Sequence, residues 1–416
     1  MNFILQLAFK NLLRYRKRTI ITSAALAAGI AIYVLMDSMV AGSMDMSEDN
    51  MIRYEMAHGK VTADSWWEEK DYFPLRESLS DGVALSDRIT EADGIKAAPR
   101  TTFMADMIVY RDPYPEDGSM QVLVTGIDPE RDGRVFSLED TLHAGRWLEP
   151  GEEGALLGRG IAHDIGADIG YPLTLVCRTR DGYYQTIDLE VVGILDTPNP
   201  MVNRMAVMMP LDTADYALDQ MGAVTEISVQ LPGGRAVKKA DVEFINSLLP
   251  EGLSFHSWKE MAQDYLGASA GDQYGTAIIL FLVFIIAAVG VSNTMLMAVL
   301  ERTRELGMMR AMGMTVRDIK RLFVYEAAGI GLLGSTAGVV IGILGNIPMV
   351  RRGIPLPADM DNYNVGYRIS GVMWGVWNPE IFLLSVVVGT VITILVTKLS
   401  IRRIMKYSIV EDLRHI

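Results

Sequence analysis

The chain has 416 residues and a net charge of −13, with 50% hydrophobic and 21% charged residues. The acidic balance disfavours a nucleic-acid-binding protein, and the single cysteine, Cys177, excludes an internal disulfide. A mean hydropathy of +0.21 in so charged a chain indicates that very apolar and very polar segments are segregated along it.

Four apolar runs are long enough to cross about 30 Å of hydrocarbon as α-helices. They cover residues 19–42, 275–300, 322–350 and 381–401. Buried core helices of a soluble protein are the alternative, but such helices rarely run this far without charge. The first run also has a basic start, as a signal peptide does. Because it is longer than a signal core and no clear A-x-A site follows it, we interpret it as an uncleaved anchor.

Basic residues predict the orientation of these spans. Lysines and arginines cluster in residues 1–18, 301–321 and 402–416, which lie on one side of a four-span chain. Since basic loops stay in the cytoplasm, we expect both termini to be cytoplasmic in an inner membrane. The large segment 43–274 and the short loop 351–380 are then periplasmic.

The large segment 43–274 is predicted to be a mixed α and β domain. Residues 186–195 alternate between apolar and polar side chains, which is typical of a half-buried strand. Further strands are predicted at 121–127, 173–177 and 226–231, and helices at 86–92, 157–168, 212–221 and 238–249. The predicted fold is thus an α-helical membrane protein with four transmembrane helices and a large α+β periplasmic domain between helices 1 and 2.

Two features of this domain leave alternatives open. Residues 196–204, DTPNPMVNR, carry two prolines and two asparagines and predict a projecting loop. The chain also contains 26 methionines. Methionines usually belong to the core, but they can also form a flexible surface for apolar or lipidated cargo.

The cytoplasmic segment 301–321 begins with the charged stretch ERTRELGMMRAM. It predicts a helix over 301–312, in which Leu306, Met309 and Met312 form an apolar stripe. Thr315 and Asp318 then form a capping box that begins the next helix. The stripe could rest in the lipid interface or could dock onto a cytoplasmic protein, and the residues alone do not separate these alternatives.

The stretch 301–319 resembles the signature of the FtsX-like permease family of ABC transporters. The matching residues are Glu301, Thr303, Glu305, Gly307, Arg310, Ala311, Gly313 and Ile319. Residues 8–22 resemble the N-terminal motif of this family. Residues 124–128, 144–148, 155–175 and 191–195 resemble the periplasmic domain of its MacB-like members. The stretch 408–416 resembles the usual C-terminal motif, from which Ser408 and Asp412 depart.

The resemblance implies that the helix after span two couples to a nucleotide-binding subunit. The residues expected to do so are Glu301, Arg302, Thr303, Arg304, Glu305, Gly307, Arg310, Ala311 and Gly313. The sequence contains no Walker motif, and only residues 1–18 precede the first span. We therefore expect a non-catalytic permease without a cofactor of its own. ATP and magnesium would be bound by two copies of a separate ATPase, which work with two permeases, identical or paralogous.

The layout is similar to that of MacB and of the lipoprotein-releasing LolC and LolE subunits. This similarity implies mechanotransmission, with release of lipoproteins as the expected activity. The alternatives are a MacB-like exporter of peptides or amphiphiles and a non-transporting FtsX-like signalling permease. In the Lol interpretation, a periplasmic carrier or adaptor would bind the predicted loop at Pro198, Asn199, Pro200 and Met201.

Three features of the spans point to packing and pairing. Gly334, Gly338 and Gly342 form a small-xxx-small face, which would serve a permease dimer or contacts within one chain. Asp37 and Glu326 are acids inside predicted spans, where an unpaired charge is costly. We expect both to be structural, with Glu326 reaching Arg321 or a neighbouring subunit.

Overall fold

The computed structural model describes residues 3–92, 94–111, 114–356, 368–369 and 371–404. Residues 357–367 of the loop 351–380 lie outside this description, as does the tail from residue 405, which carries Ser408 and Asp412. The chain forms two compact units. The helical unit contains the chain up to Ser43, Ser269–Ile354 and the chain from Met373, and the sheet unit contains Met44–Ala268 and the described part of Pro355–Val372.

The helices are numbered in chain order. They are α1 (Phe3–Arg14), α2 (Arg16–Met51), α3 (Asp64–Glu68), α4 (Gly82–Thr90), α5 (Pro129–Val135), α6 (Arg159–Ile165), α7 (Pro200–Met205), α8 (Leu211–Leu218), α9 (Lys239–Leu248), α10 (Trp258–Met261), α11 (Gln263–Glu301), α12 (Thr303–Ala311), α13 (Val316–Arg352) and α14 (Pro379–Ile404).

The strands are numbered in the same way. They are β1 (Gly59–Ala63), β2 (Lys96–Arg111), β3 (Tyr114–Ile127), β4 (Leu142–Gly145), β5 (Gly154–Gly158), β6 (Pro172–Arg178), β7 (Tyr184–Leu195), β8 (Ala206–Pro210), β9 (Glu226–Gln230), β10 (Leu253–Ser257), β11 (Ile354–Pro355) and β12 (Val372–Met373).

Within the described residues, four helices are long and apolar enough to cross a membrane: α2, α11, α13 and α14. Each contains one of the four predicted apolar runs, so the predicted spans are confirmed. Three of these helices are far longer than the ~20 residues that a crossing needs. Helix α2 has 36 residues, α11 has 39 and α13 has 37.

The glycine face of α13 packs against α2 of the same chain. A Cβ atom on Gly334 would lie 2.9 Å from the Ser23 carbonyl oxygen, and one on Gly338 would lie 2.7 Å from the Ala27 carbonyl oxygen. A Cβ atom on Gly342 would lie 2.8 Å from Val34. The alternative in which this face joins two permeases is therefore wrong. The small residues bring two helix backbones of one chain close together.

In the described part of the sheet unit, ten strands form one mixed sheet. Their order is β10-β1-β9-β2-β3-β8-β5-β7-β4, and β6 pairs with both β2 and β7. The pairs β3–β8 and β5–β7 are parallel, and the other pairs are antiparallel. The largest core cluster contains Phe103, Leu157, Leu175 and Val191, which come from four different strands.

Most of the predicted elements of this unit are present. Strand β7 alternates as predicted, with Ile187, Leu189 and Val191 buried and the residues between them exposed. The predicted helix over 157–168 is wrong at its start, because Leu157 belongs to the buried strand β5 and helix α6 begins at Arg159. Strand β2 and the first part of β3 were not predicted, because residues 96–120 show no strict alternation of apolar and polar side chains.

The predicted projecting loop 196–204 is wrong. Thr197, Asn199 and Asn203 are buried and hydrogen-bonded to one another, and residues from Pro200 form the helix α7. Asn199 caps this helix, because its side chain accepts from the Met201 amide at 3.0 Å. Asn and Pro therefore mark a helix N-terminus here rather than a protrusion. The expected carrier-binding surface at Pro198, Asn199, Pro200 and Met201 loses its structural basis.

We predict that Gly338→Leu destabilises the helical unit by about 1–3 kcal/mol, the usual cost of an overpacked contact. The added side chain must displace Ala27 or Ile30 of α2. Gly290→Leu in α11 is the matched control, because its Cβ would meet nothing within 4 Å. Thermal unfolding in detergent measures the effect. Equal melting temperatures for the two variants would contradict the α2–α13 packing.

Candidate functional site

The segment expected to couple, which we call the coupling segment, connects α11 to α13, and its helix is shorter than the predicted helix over residues 301–312. Helix α11 continues to Glu301, Arg302 leaves the helical conformation, and α12 begins at Thr303. Gly313, with φ +98°, follows α12 in a conformation that glycine adopts without strain. The predicted capping box is confirmed, because the Thr315 hydroxyl accepts from the Asp318 amide at 3.3 Å and the Asp318 carboxylate accepts from the Thr315 amide at 3.3 Å.

The apolar stripe of α12 rests on its own chain. Leu306 is buried in a cluster with Leu12 of α1, Val299 of α11 and Phe323 of α13, and Met309 packs against the same cluster. Met312 does not take part, since it is 80% exposed. Leu306 is therefore covered by the protein itself and not by lipid or by a cytoplasmic protein, the two expected alternatives. Met312, the third residue of the stripe, is exposed.

A buried carboxylate holds this segment in place. Glu326 of α13 is fully buried, and Arg302 donates to its carboxylate from Nη1 at 3.2 Å. The Arg18 Nη2 atom donates to the other carboxylate oxygen at 3.3 Å, and the Asn11 amide donates at 2.6 Å. The expectation that Glu326 pairs with Arg321 is wrong, because the Arg321 side chain is 67% exposed and lies 3.9 Å from the Asp318 carboxylate.

Arg14 of α1 and the following Tyr15 add further contacts around Glu305 and Arg302. Arg302 also donates from Nε to Glu305 at 3.0 Å, and Arg14 of α1 lies 3.6 Å from the same carboxylate. The guanidinium groups of Arg18 and Arg302 both lie over the ring of Tyr15, at 5.6 and 5.0 Å from its centre. We call Asn11, Tyr15, Arg18, Arg302, Glu305 and Glu326 the charge cluster.

The buried arginines and the carboxylates of the charge cluster balance one another, and the exposed Arg14 adds a cation at its edge. Two arginines, Arg18 and Arg302, face two carboxylates, Glu305 and Glu326. Burying a single charge costs much free energy, and the attraction of a partner charge together with hydrogen bonds offsets much of that cost. The N-terminal helix, the start of α2, the start of α12 and α13 are thus bound to one another by side chains that cannot leave the cluster separately.

The structure divides the residues expected to couple into three groups by their exposure. Glu301, Arg304, Arg310, Ala311 and Gly313 are exposed, while Thr303, Glu305 and Gly307 are half-buried. Arg302 is only 4% exposed. Its side chain is therefore not available to a partner, and it positions the helix from within the protein.

Helix α12 presents one exposed face opposite to its buried one. Arg304, Met308 and Ala311 are exposed, and their spacing of three and four residues aligns them along one side, while Met312 directly follows the helix and is exposed as well. Leu306 and Met309 lie on the other side. We call these four residues the outer face of α12. It combines a cation with two unbranched, adaptable apolar side chains.

Sequence reasoning missed three members of the charge cluster: Asn11, Tyr15 and Arg18. All three lie in residues 8–22, whose basic residues predicted orientation and whose pattern resembles the family's N-terminal motif, but neither feature indicated a contact with Glu326. The second acid inside a span, Asp37, has a different environment, since it accepts from the Asn378 amide at 3.3 Å. Its neighbour Ser38 donates to Asn346 at 2.7 Å, so this part of α2 is held by neutral polar groups.

Comparison with known families agrees with this layout. A sequence model of the MacB-like periplasmic core domain matches residues 19–246, and a model of the FtsX-like permease C-terminal region matches residues 277–409. The second match includes the coupling segment and Glu326, and the first includes most of the sheet unit.

Several curated relatives resemble the chain at low identity. An uncharacterized ABC transporter permease of Methanocaldococcus jannaschii is 25% identical over 82% of this chain and 83% of its own length. The lipoprotein-releasing system transmembrane protein LolC of Neisseria meningitidis is 26% identical over 54% of this chain and 55% of its own. The macrolide export ATP-binding/permease protein MacB of Pasteurella multocida is 28% identical over 38% of this chain and 25% of its own. The chain thus spans about half of LolC and a quarter of MacB.

We predict that Arg302→Met destabilises the protein by roughly 3–5 kcal/mol, the cost of leaving a buried ion without its partner. The variant removes a counter-charge of Glu326 and frees Glu305. Arg304→Met is the matched control, because Arg304 is exposed two positions further along. The measurement is thermal unfolding of the purified chain. The charge cluster would lose its assigned role if both variants unfolded at the wild-type temperature.

Proposed function

Since the chain belongs to the family of FtsX-like permeases with a MacB-like periplasmic core domain, we propose that it is the membrane subunit through which a separate ABC ATPase acts on cargo outside the cytoplasm. It is an ABC transporter permease of the MacB, Lol and FtsX type. The finer assignment is mechanotransmission, in which ATP-driven movement enters at α12 and leaves through the membrane helices.

The observation that carries this proposal is the two-sided character of α12. Its inner side is fixed by Leu306 and by the charge cluster, and its outer face carries Arg304, Met308, Ala311 and Met312 in solvent. A helix that only lay in the lipid interface would direct its apolar side to lipid. Here Leu306 and Met309 are occupied within the chain, and the exposed face carries methionines beside Arg304, a combination that is enriched at protein interfaces and supports docking of a protein there.

The contacts of α12 also suggest how a movement would spread. Arg302 binds Glu326 of α13, and Leu306 packs against Val299 near the end of α11. A displacement of α12 would therefore move both helices together. Helix α11 has 39 residues, so at 1.5 Å per residue it extends about 58 Å, well beyond the thickness of the hydrocarbon.

The proposed assembly contains two permeases, identical or paralogous, and two ATPases that bind ATP and magnesium. Both termini and α12 face the cytoplasm, in agreement with the basic residues of these segments. The sheet unit lies on the periplasmic side of an inner membrane.

For the cargo, we propose lipoproteins that leave the membrane. The similarity to LolC and to LolE, the lipoprotein-releasing proteins of two bacteria, favours this activity. Export of a small amphiphile is the second candidate, favoured by the similarity to the macrolide exporter MacB. Proteoliposomes that hold the permease and its ATPase distinguish them, since one activity releases a labelled lipoprotein and the other moves a small molecule.

We predict that a cysteine at the outer face cross-links to the ATPase. Met312→Cys, labelled with a benzophenone maleimide in native membranes, should give an adduct that contains an ABC ATPase by mass spectrometry. The native Cys177 will not interfere, because burial raises its pKa to about 11. Met221→Cys in the sheet unit is the control, with Met221 88% exposed. Adducts with lipid alone at position 312 would refute docking.

We predict that Arg304→Glu combined with Met308→Asp lowers permease-stimulated ATP hydrolysis roughly tenfold, as expected for the loss of contacts central to an interface. Membrane insertion and thermal stability should not change, because both side chains are exposed. Arg352→Glu at the far end of α13 is the matched charge reversal and should have no effect. Wild-type stimulation in the double variant would exclude the outer face as the coupling surface.

A further inference from the structure

The exposed side of the first helix, α1, carries two parallel rows of side chains that the proposed coupling does not use. In each row the residues are four positions apart, which places them on one side of a helix. The apolar row consists of Leu5, Phe9 and Leu13, which are 42%, 64% and 53% exposed. The polar row begins one position further along and consists of the exposed residues Gln6, Lys10 and Arg14. An apolar surface thus runs directly beside a cationic one.

The opposite side of α1 is fixed by contacts within the helical unit. Ala8, Asn11 and Leu12 are its buried residues. Leu12 occupies the space beside Gly329 of α13, where an added Cβ atom would lie 2.4 Å from the Leu12 Cδ1 atom. Asn11 donates to the buried Glu326 at 2.6 Å. These contacts set the rotation of α1 about its own axis, so both rows point away from the described part of the protein.

The connection of α1 to the first membrane helix places these rows near the bilayer surface. Only Tyr15 separates α1 from α2. Ile20 and Ile21, close to the start of α2, are 65% and 70% exposed, as expected for side chains that face acyl chains. A helix joined to the end of a span lies where acyl chains meet headgroups, and it buries its apolar side there. Lipid is therefore the occupant that fits the apolar row of α1.

The charge of this segment selects the kind of lipid. Four exposed cations lie close together in the chain: Lys10, Arg14, Arg16 and Lys17. The first acid of the sequence is Asp37. Within the residues that the structure describes, only Arg14 of the four lies within ion-pair distance of a carboxylate, that of Glu305 at 3.6 Å. The positive charge of the segment is thus largely unmatched, and cations at a membrane surface attract anionic headgroups.

We propose that α1 binds anionic phospholipids at the membrane surface. Its apolar row lies among the outer segments of the acyl chains, and its cations, with Arg16 and Lys17, contact the phosphates. A zwitterionic lipid would satisfy the apolar row but would leave the cations unmatched. Through Asn11 on its inner side, the same helix then joins the lipid surface to the charge cluster. The inference rests on the membrane spans and not on the proposed coupling to an ATPase.

The test uses the full chain in phosphatidylcholine nanodiscs without nucleotide or ATPase. The probes are phosphatidylglycerol and phosphatidylcholine with the same diazirine in the acyl chain, and mass spectrometry maps the adducts after irradiation. At residues 3–14 we expect several-fold more adducts from phosphatidylglycerol, and high salt should remove this excess. Phe281 and Ile286, which are 64% and 73% exposed on α11, should react equally with both lipids.

Two outcomes at residues 3–14 would overturn the proposal. Equal adducts from the two lipids would remove the preference for an anionic headgroup. An absence of adducts from either lipid would mean that a protein, such as a second copy of the chain, covers this side of α1.

Matched variants test the role of charge. Lys10→Gln combined with Lys17→Gln should lower the phosphatidylglycerol adducts by about fivefold for each lysine removed. Lys10→Arg combined with Lys17→Arg keeps the charge and should keep the adducts. The control is Lys96→Gln combined with Lys239→Gln, at two exposed positions of the sheet unit. Wild-type adducts in the first double variant, or their loss in the arginine variant, would refute binding by charge.

A second pair of variants tests the apolar row. Phe9→Gln places a polar side chain at the centre of the row and should lower the adducts from both lipids several-fold at residues 3–14. Phe9→Leu keeps an apolar side chain and should retain them. Equal yields from these two variants would show that the row does not enter the bilayer, which would overturn the proposal. Because no ATPase is present, these results are independent of the outcome for the outer face of α12.

Discussion

The charge of Glu326 constrains the helical unit more than any other single group. A carboxylate with no exposed surface must be matched where it lies, and here Arg302, Arg18 and Asn11 provide the match. The three donors come from three different segments. Their hydrogen bonds have fixed directions, while apolar contacts can slide, so the cluster sets the register in which α1, α2 and α13 meet the start of α12. The glycine face of α13 then fits closely on α2 in that same register.

This constraint gives the short helix α12 the fixed position that the proposed coupling requires. Helix α12 has nine residues, too few to be stable alone in water. The buried Leu306 and Arg302 at its N-terminus hold this helix in place, and its opposite side stays exposed. A partner that binds there would meet a rigid surface, and little of the binding free energy would be lost in ordering it.

The sequence was informative where a pattern is local. The apolar runs, the alternation of β7 and the capping box of Thr315 and Asp318 all follow from neighbouring residues, and the structure contains each of them. It was less informative where the partner is distant. Glu326 and Asn11 are 315 positions apart, and the nearer Arg321 was the natural choice although it points to solvent. The stripe of Leu306, Met309 and Met312 was chosen by its period, but the end of α12 at Ala311 removes Met312 from it. The polar composition of 196–204 predicted a protrusion, whereas those side chains satisfy one another inside the protein.

The order of the charge cluster along the chain has a consequence for biogenesis. Asn11, Arg18 and Arg302 all precede Glu326, so every donor has been synthesised before α13 leaves the ribosome. An acidic helix that enters the bilayer alone would have to protonate its carboxylate or draw water with it. In this chain, the first three segments can receive the carboxylate as it arrives. The insertion of α13 can therefore coincide with its assembly, and the newly made permease need not pass through a stage with an unmatched charge in lipid.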